Sequence, residues 1–334
     1  MRARTALLAL AAASAVVVTG APLVGPEHLP LSAVLRPEVG DANAIIFWDI
    51  RLPRVFLAYL AGSALALSGM AFQALFRNPL ATPFTLGVSS GASLGAVLSI
   101  RAGLSATLLG ASAMSIASFA GAILAITLVY GLTQFRRGFS TSSMLLAGVA
   151  VNFFFSSLIL FLQYWGDFWD TFNILRWLIG GVQLVGMETV LRLLPATVLA
   201  VAVTLLLTHE LNLLTTGEDL ATSRGVPVPR VKRILFVSIS LVVGGVVAVC
   251  GPIGFVGLMC PHICRLLVGP NHHVLMPATF LFGGIFLVVC DTAARTALAP
   301  TEMPVGIFTA FLGGPFFLWL LLRGSSQCGG AAAK

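Results

Sequence analysis

Apolar runs long enough to cross a bilayer recur from one end of the chain to the other, separated by short polar connections. A helix needs roughly 20 apolar residues to cross the hydrocarbon core. On that measure the pattern predicts spans at about 5–25, 52–76, 84–101, 105–134, 141–165, 189–208, 232–250, 255–268, 273–294 and 304–322. The segment at 255–268 is short and is interrupted by Pro261 and His262. Small residues recur inside the runs, among them Gly62, Ser63, Gly69, Gly87, Gly91 and Gly95, where they let helix backbones approach closely. Gly-Pro pairs at 251–252, 269–270 and 314–315 mark breaks or ends of helices. Such breaks are tolerated at depth only when protein or a cavity covers the freed backbone groups. The pattern therefore predicts an all-α, polytopic membrane protein of about ten transmembrane helices. It forms a single membrane domain over 1–334, with a polar cytoplasmic connection at about 209–231 and a short tail at 324–334.

The composition agrees. Of 334 residues, 58% are hydrophobic and 9% charged, and the mean hydropathy is +1.00. A soluble domain carries about 25% charged residues, because a water-facing surface needs them. Bilayer lipid needs no polar coat and makes charge expensive. The net charge of +7 does not point to nucleic acid, because the basic residues are scattered between apolar segments. With a cytoplasmic N-terminus, ten spans return the C-terminus to the cytoplasm. Twelve of the 19 Lys and Arg residues then face that side, Arg77, Arg136, Arg137, Arg224, Arg230, Lys232 and Arg265 among them. Arg36, Arg51, Arg54, Arg101, Arg176, Arg192 and Arg295 fall outside, a bias in the positive-inside direction. Arg2 and Arg4, the apolar run that follows and the small residues at 19–21 read equally as a cleaved signal peptide or as a retained first span.

The chain has no P-loop, since neither Lys232 nor Lys334 stands in the required glycine-rich setting. ATP, if used, is bound by another chain, so the protein is expected to be no enzyme itself and to carry no cofactor. Cys260-Pro261-His262-Ile263-Cys264 has the spacing of half a zinc site, but no second pair exists. Its cysteines read as small hydrophobes, so no metal is expected. His272 and His273 read as a solvated turn. Asp291 is the one carboxylate placed within a span, which argues against a proton-coupled carrier and against a membrane-embedded enzyme.

The segment from Arg51 to Ala96 carries Gln73 near the end of a span, then Arg77-Asn78-Pro79-Leu80-Ala81, then Leu86-Gly87-Val88-Ser89-Ser90-Gly91-Ala92. Further along come Leu145-Leu146-Ala147-Gly148-Val149-Ala150, and Gly251-Pro252-Ile253-Gly254-Phe255-Val256-Gly257-Leu258 followed by Pro261, His262 and Arg265. Asp291, Arg295, Glu302, Pro304, Gly306, Gly313 and Pro315 close the series. Together these resemble the FecCD-type permeases of type II ABC importers for iron-siderophore, haem and vitamin B12, over the whole chain.

The resemblance implies a B12-permease-like bundle with a retained first span. It implies a homodimer around a central pathway, ATP-binding-cassette ATPase subunits on the cytoplasmic side and a periplasmic or lipoprotein substrate-binding protein above. Arg51, Arg54 and Arg295 look like the family's docking arginines for that binding protein. The residues taken alone fit interfacial anchoring for Arg51 and Arg54, and a local helix pair for Arg295 with Asp291. The polar run containing Gly217, Glu218, Ala221 and Gly225 looks like the helix that couples to the ATPase. Ser140 and Thr141 look like the cytoplasmic gate, and also suit a helix N-cap. The cargo implied is an iron chelate moved across the bacterial inner membrane, with a corrinoid as the alternative. A stand-alone secondary carrier is the rival class.

Overall fold

A computed structural model describes residues 2–27, 29–30, 34, 41–104, 106–108, 111–135, 141–182, 186–299 and 301–328. Each of the ten predicted spans falls on a helix. They are α1 (Arg2–Gly20), α3 (Leu52–Phe76), α4 (Val88–Arg101), α5 (Ala113–Phe135), α6 (Thr141–Tyr164), α8 (Met187–Leu206), α11 (Val228–Cys250), α12 (Val256–Val268), α13 (His272–Thr296) and α14 (Val305–Cys328). Between them lie shorter pieces: α2 (Ala42–Ile45), α7 (Phe168–Leu178), α9 (Thr208–Thr216) and α10 (Glu218–Ser223). Among the described residues, seven helices are long and apolar enough to cross a membrane, whereas α4, α12 and the apolar part of α14 are shorter. The predicted span at 105–134 starts late. Thr107–Leu108 pairs antiparallel with Ala111–Ser112, and the helix begins only at Ala113.

Helix α3 is the axis of the bundle. Its residues from Ala61 to Phe76 are all buried, and it packs against α8, α11, α12 and α13. The sequence of this stretch, rich in Ala, Gly and Ser, gives the reason: without a hydrophobic drive between helices in lipid, association rests on close contact. A Cβ on Gly69 would lie 1.6 Å from the Gly257 carbonyl oxygen of α12, and one on Gly62 would lie 2.3 Å from the Gly283 carbonyl oxygen of α13. No side chain at all fits at these crossings.

The Gly251-Pro252 break is real. Helix α11 stops at Gly251 (φ 67°), an extended segment follows, and Phe255, also at φ 67°, opens α12. Another break packs on it, as the Gly181 amide donates to the Cys250 carbonyl and the Gly306 amide to that of Gly180. The backbone groups freed at the two breaks are thus covered by protein.

Adding a methyl group at Gly69 forces two backbones apart. Gly69→Ala is expected to cost at least about 1–3 kcal/mol. Gly131→Ala, with open space around its Cβ, should be neutral or slightly stabilising. Melting temperatures of the two variants in detergent check this, and an equal response would remove the crossing from the account.

Candidate functional site

At one end of the bundle the predicted arginines gather. Arg51, Arg54 and Arg295 line a single cleft of about 250 Å³ together with Glu27 and Glu302. All three side chains are nonetheless buried, and each is held within the chain. Arg54, on the first turn of α3, grips Asp291 of α13 through Nε (3.0 Å to Oδ2) and Nη2 (3.0 Å to Oδ1). Its Nη1 reaches Oε2 of Glu302 at 2.7 Å. Arg295 Nη2 donates to the Ala21 carbonyl at 2.6 Å and to the Thr292 hydroxyl. Arg51 donates to the backbone carbonyls of Glu27 and Pro22. The local Asp291–Arg295 helix pair allowed by the spacing is not the hydrogen bond that forms, because Arg54 takes both carboxylate oxygens. The lone carboxylate within a span is thus explained as half of a buried bidentate pair.

Next to this cleft lies a larger pocket of about 600 Å³, lined in part by Arg54, Asn173, Arg176, Trp177 and Glu302. Arg176 belongs to α7, an amphipathic helix capped by the Asp167 side chain. It is exposed and has no ion-pair partner among the described residues. The topology expected from the sequence put it on the same side as the three arginines, but gave it no role. Its signal was a cation on the polar face of a short helix whose other face is rich in aromatics.

At the opposite end, Gly217 (φ 137°) and Gly225 (φ 83°) bracket α10, conformations that favour glycine. Ala221, between them, is fully buried. Glu218 Oε1 lies 2.6 Å from Nζ of Lys232, and the Thr141 hydroxyl donates to the same oxygen at 3.1 Å. Lys232 Nζ also donates to Thr141 Oγ1 at 3.0 Å. One three-membered cluster therefore joins the predicted coupling helix, the first turn of α6 and the first turns of α11. Ser140, the other predicted gate residue, lies outside the described residues. Lys232 was missed as a site residue, although a lysine at the start of an apolar helix in a chain with two lysines is a usable signal.

Burial acts most strongly on the Glu218 carboxyl and tends to raise its pKa. The hydrogen bond and charge of Lys232, the Thr141 hydroxyl and the charge of Arg77 outweigh it and hold the group below the usual carboxylate range. A depressed carboxylate pKa contributes stability that is present above the unfolded value and lost as pH falls through the folded one. The cluster is thus intact throughout the neutral range.

Two further contacts tie the motifs together. Arg265 of α12 donates to the Gln73 side chain at 3.0 Å, and Gln73 in turn donates to the Leu258 carbonyl. His272 is not solvated as the sequence suggested: it is buried, with Nδ1 at 2.8 Å from Oδ1 of Asn212, while His273 is exposed. Cys260 and Cys264 are buried in α12, and among the described residues no three His, Cys, Asp or Glu side chains gather into a metal site.

The FecCD transport family matches residues 7–323, nearly the whole chain, and so takes in both clusters. The chain belongs to the FecCD transport family. It is 38% identical over 320 residues to the hemin transport system permease protein HmuU of Yersinia pestis, covering 94% of each chain. It is 41% identical over 290 residues to the cobalamin import system permease protein BtuC of Halobacterium salinarum, covering 87% of this chain and 77% of that one. A solved structure described as an inward-facing conformation of a metal-chelate type ABC transporter matches with a TM-score of 0.83 at 33% identity, over 95% of this chain and 98% of that one. The protein is accordingly a multi-pass ABC-importer permease.

Lys232→Met leaves Glu218 without its cation. Because the Glu218 side chain is 39% exposed, the stability loss is expected to stay within about 1 kcal/mol. The ATP turnover of the assembled transporter should nevertheless become uncoupled from uptake. Fully coupled transport in this variant would exclude the cluster from the mechanism.

Proposed function

We propose that this permease moves an iron chelate, a siderophore or haem, across the bacterial inner membrane by alternating access, with ATP hydrolysed on separate ATP-binding-cassette subunits. The observation that carries the reading is the cluster of Glu218, Lys232 and Thr141. It ties the segment proposed to sit on the ATPase (Gly217, Glu218, Ala221 and Gly225) to the first turn of α6, proposed as the gate with Ser140 and Thr141. The haemin relative supports the chelate, and the cobalamin relative supports a corrinoid as the alternative cargo by the same mechanism. Both termini are cytoplasmic in this reading. The permease works as a homodimer whose two α6 starts face each other across the pathway. The rival, a carrier driven by an ion gradient, lacks the carboxylates it would use: Asp291 is spent on Arg54.

The arginine end is the proposed docking face for the substrate-binding protein. Since the hydrogen bonds of Arg51, Arg54 and Arg295 run inward, these residues serve docking by holding the rim in shape. Arg176 and the half-exposed Glu302 are charges that an incoming partner meets directly.

In proteoliposomes containing permease, ATPase and binding protein, uptake is expected to require ATP and the binding protein. Uptake by the permease alone down an ion gradient would refute the reading.

The docking face separates two kinds of variant. Arg54→Gln leaves Asp291 buried without its partner, which costs about 3–5 kcal/mol for a buried pair and should lower the melting temperature. Arg176→Glu should leave the melting temperature unchanged and weaken capture of the binding protein, chiefly by slowing association as a rim charge does. Unchanged capture kinetics in Arg176→Glu would remove α7 from the docking face.

A further inference from the structure

Helices α5 and α8 both pack on α11, and a groove of about 690 Å³ lies between the three. Its floor includes Leu241, Gly245 and Val249 of α11, and its walls include Ile116 and Phe119 of α5 and Leu199 of α8. Met114 lines both this groove and the pocket beside Arg54, so the two lie at the same end of the bundle. Along α8 the lining runs from Thr189 to Leu199, and along α11 from Val249 back to Leu241, which is roughly 12–15 Å at 1.5 Å per residue. Half of a bilayer's hydrocarbon core is about 15 Å. The groove is thus one leaflet deep.

Its mouth is polar where its depth is apolar. Arg192 and Thr189 of α8 face Thr107 and Ser112 of the short hairpin that precedes α5. The Ser112 hydroxyl is taken up by Ser115, but the Thr107 and Thr189 hydroxyls have no hydrogen-bond partner among the described residues. Arg192 is the one charged side chain in the lining, and it pairs with Glu188 one turn earlier on α8. The two side chains are 30% and 73% exposed, so this pair is a weak one that a third charged group can enter. The other guanidinium donors have no partner among the described residues. A cation above an apolar slot matches the two ends of an amphiphile, and the anion beside that cation adds a demand on its headgroup.

We infer that this groove holds one phospholipid, with an acyl chain laid along α11 and a phosphoethanolamine headgroup at Arg192 and Glu188. The phosphate accepts from the Arg192 guanidinium and the Thr189 hydroxyl, and the primary ammonium donates to the Glu188 carboxylate. A choline headgroup carries no N–H for Glu188, and a glycerol headgroup carries no cation for it. The inference needs a membrane-spanning bundle and nothing more, so it stands apart from the choice of cargo. A filled groove fixes the spacing of α5 and α8 on α11, the helix whose opposite end carries Lys232.

The test uses the full-length permease, purified in mild detergent with equal amounts of phosphatidylethanolamine, phosphatidylcholine and phosphatidylglycerol of the same acyl chains. Native mass spectrometry should find one phosphatidylethanolamine held per permease chain, several-fold above either competitor, as exposed charge contacts allow. Arg192→Leu and Glu188→Gln should each remove that preference. Ile116→Trp, which fills the groove from an exposed position, should lose the held lipid with an unchanged melting temperature in lipid-free detergent. In the unaltered protein, a phosphatidylethanolamine with a diazirine halfway along one chain should crosslink to Leu199 or to α11 between Leu241 and Val249. Outward-facing Phe153 of α6 is the control and should stay free. A held lipid with no headgroup preference, or with a preference for glycerol, would overturn the headgroup assignment. No held lipid, or crosslinks as frequent on Phe153 as in the groove, would overturn the site and leave the groove to bulk lipid or to another protein.

Discussion

A cation buried in a membrane protein must be compensated, and among the described residues this chain pairs one with a carboxylate at each end of the bundle. At one end Arg54 is closed in by Asp291 and Glu302, and at the other Lys232 is closed in by Glu218. Removing Arg54 strands Asp291 as a charge that the protein interior rejects, whereas Glu218, without Lys232, keeps water beside it. Each pair therefore fixes which segments meet. Arg54 and Asp291 are 237 residues apart in sequence, so their bond sets α3 against α13 across almost the whole chain. Glu218 and Lys232 close the polar connection back onto the helix that follows it.

Between these two fastenings the bundle is held by proximity rather than by bulk. The glycines of α3 meet backbone carbonyls of α12 and α13 at distances that admit no side chain. Such a contact has little freedom to deform, and interior packing of this density moves as blocks. The mobile parts of the mechanism are then expected at the margins of the block. Helix α6 is one such margin, since it presents Phe153, Phe154, Leu160 and Phe161 outward instead of to the core. Its first turn is where the Glu218–Lys232 cluster takes hold, so three side chains link α10 to α6.

The membrane class, the long helices and the breaks at Gly251-Pro252 and Gly269-Pro270 were legible because each is a local property of the sequence, but Gly314-Pro315 marks no break, since α14 runs through it. Runs of apolar residues and Gly-Pro pairs declare themselves within about 20 positions. The short helices α2, α7 and α9 were not legible, because amphipathic pieces of four to eleven residues carry no spanning signal. The candidate site was legible in part. Glu218 and Thr141 were singled out from separate motifs, but nothing in their spacing shows that Lys232 joins them. The three arginines were rightly grouped, yet their burial was not foreseen, because the carbonyls of Ala21, Pro22 and Glu27 that receive two of them are backbone atoms with no sequence signature. Asp291 was singled out and Arg295 offered as its cation; Arg54 takes it instead, a contact across 237 residues that local spacing does not show.

The central claim is that α10, the base of α6 and the start of α11 move as one body. Spin labels placed at Ser223 and Leu146, and in a second sample at Leu146 of both copies in the proposed homodimer, measure it by pulsed electron-spin distance in nucleotide-free and ATP-bound transporter. The account predicts that the Ser223–Leu146 distance within one subunit stays constant while the distance between the two Leu146 positions changes. A within-subunit distance that shifts as much as the one between subunits would contradict it.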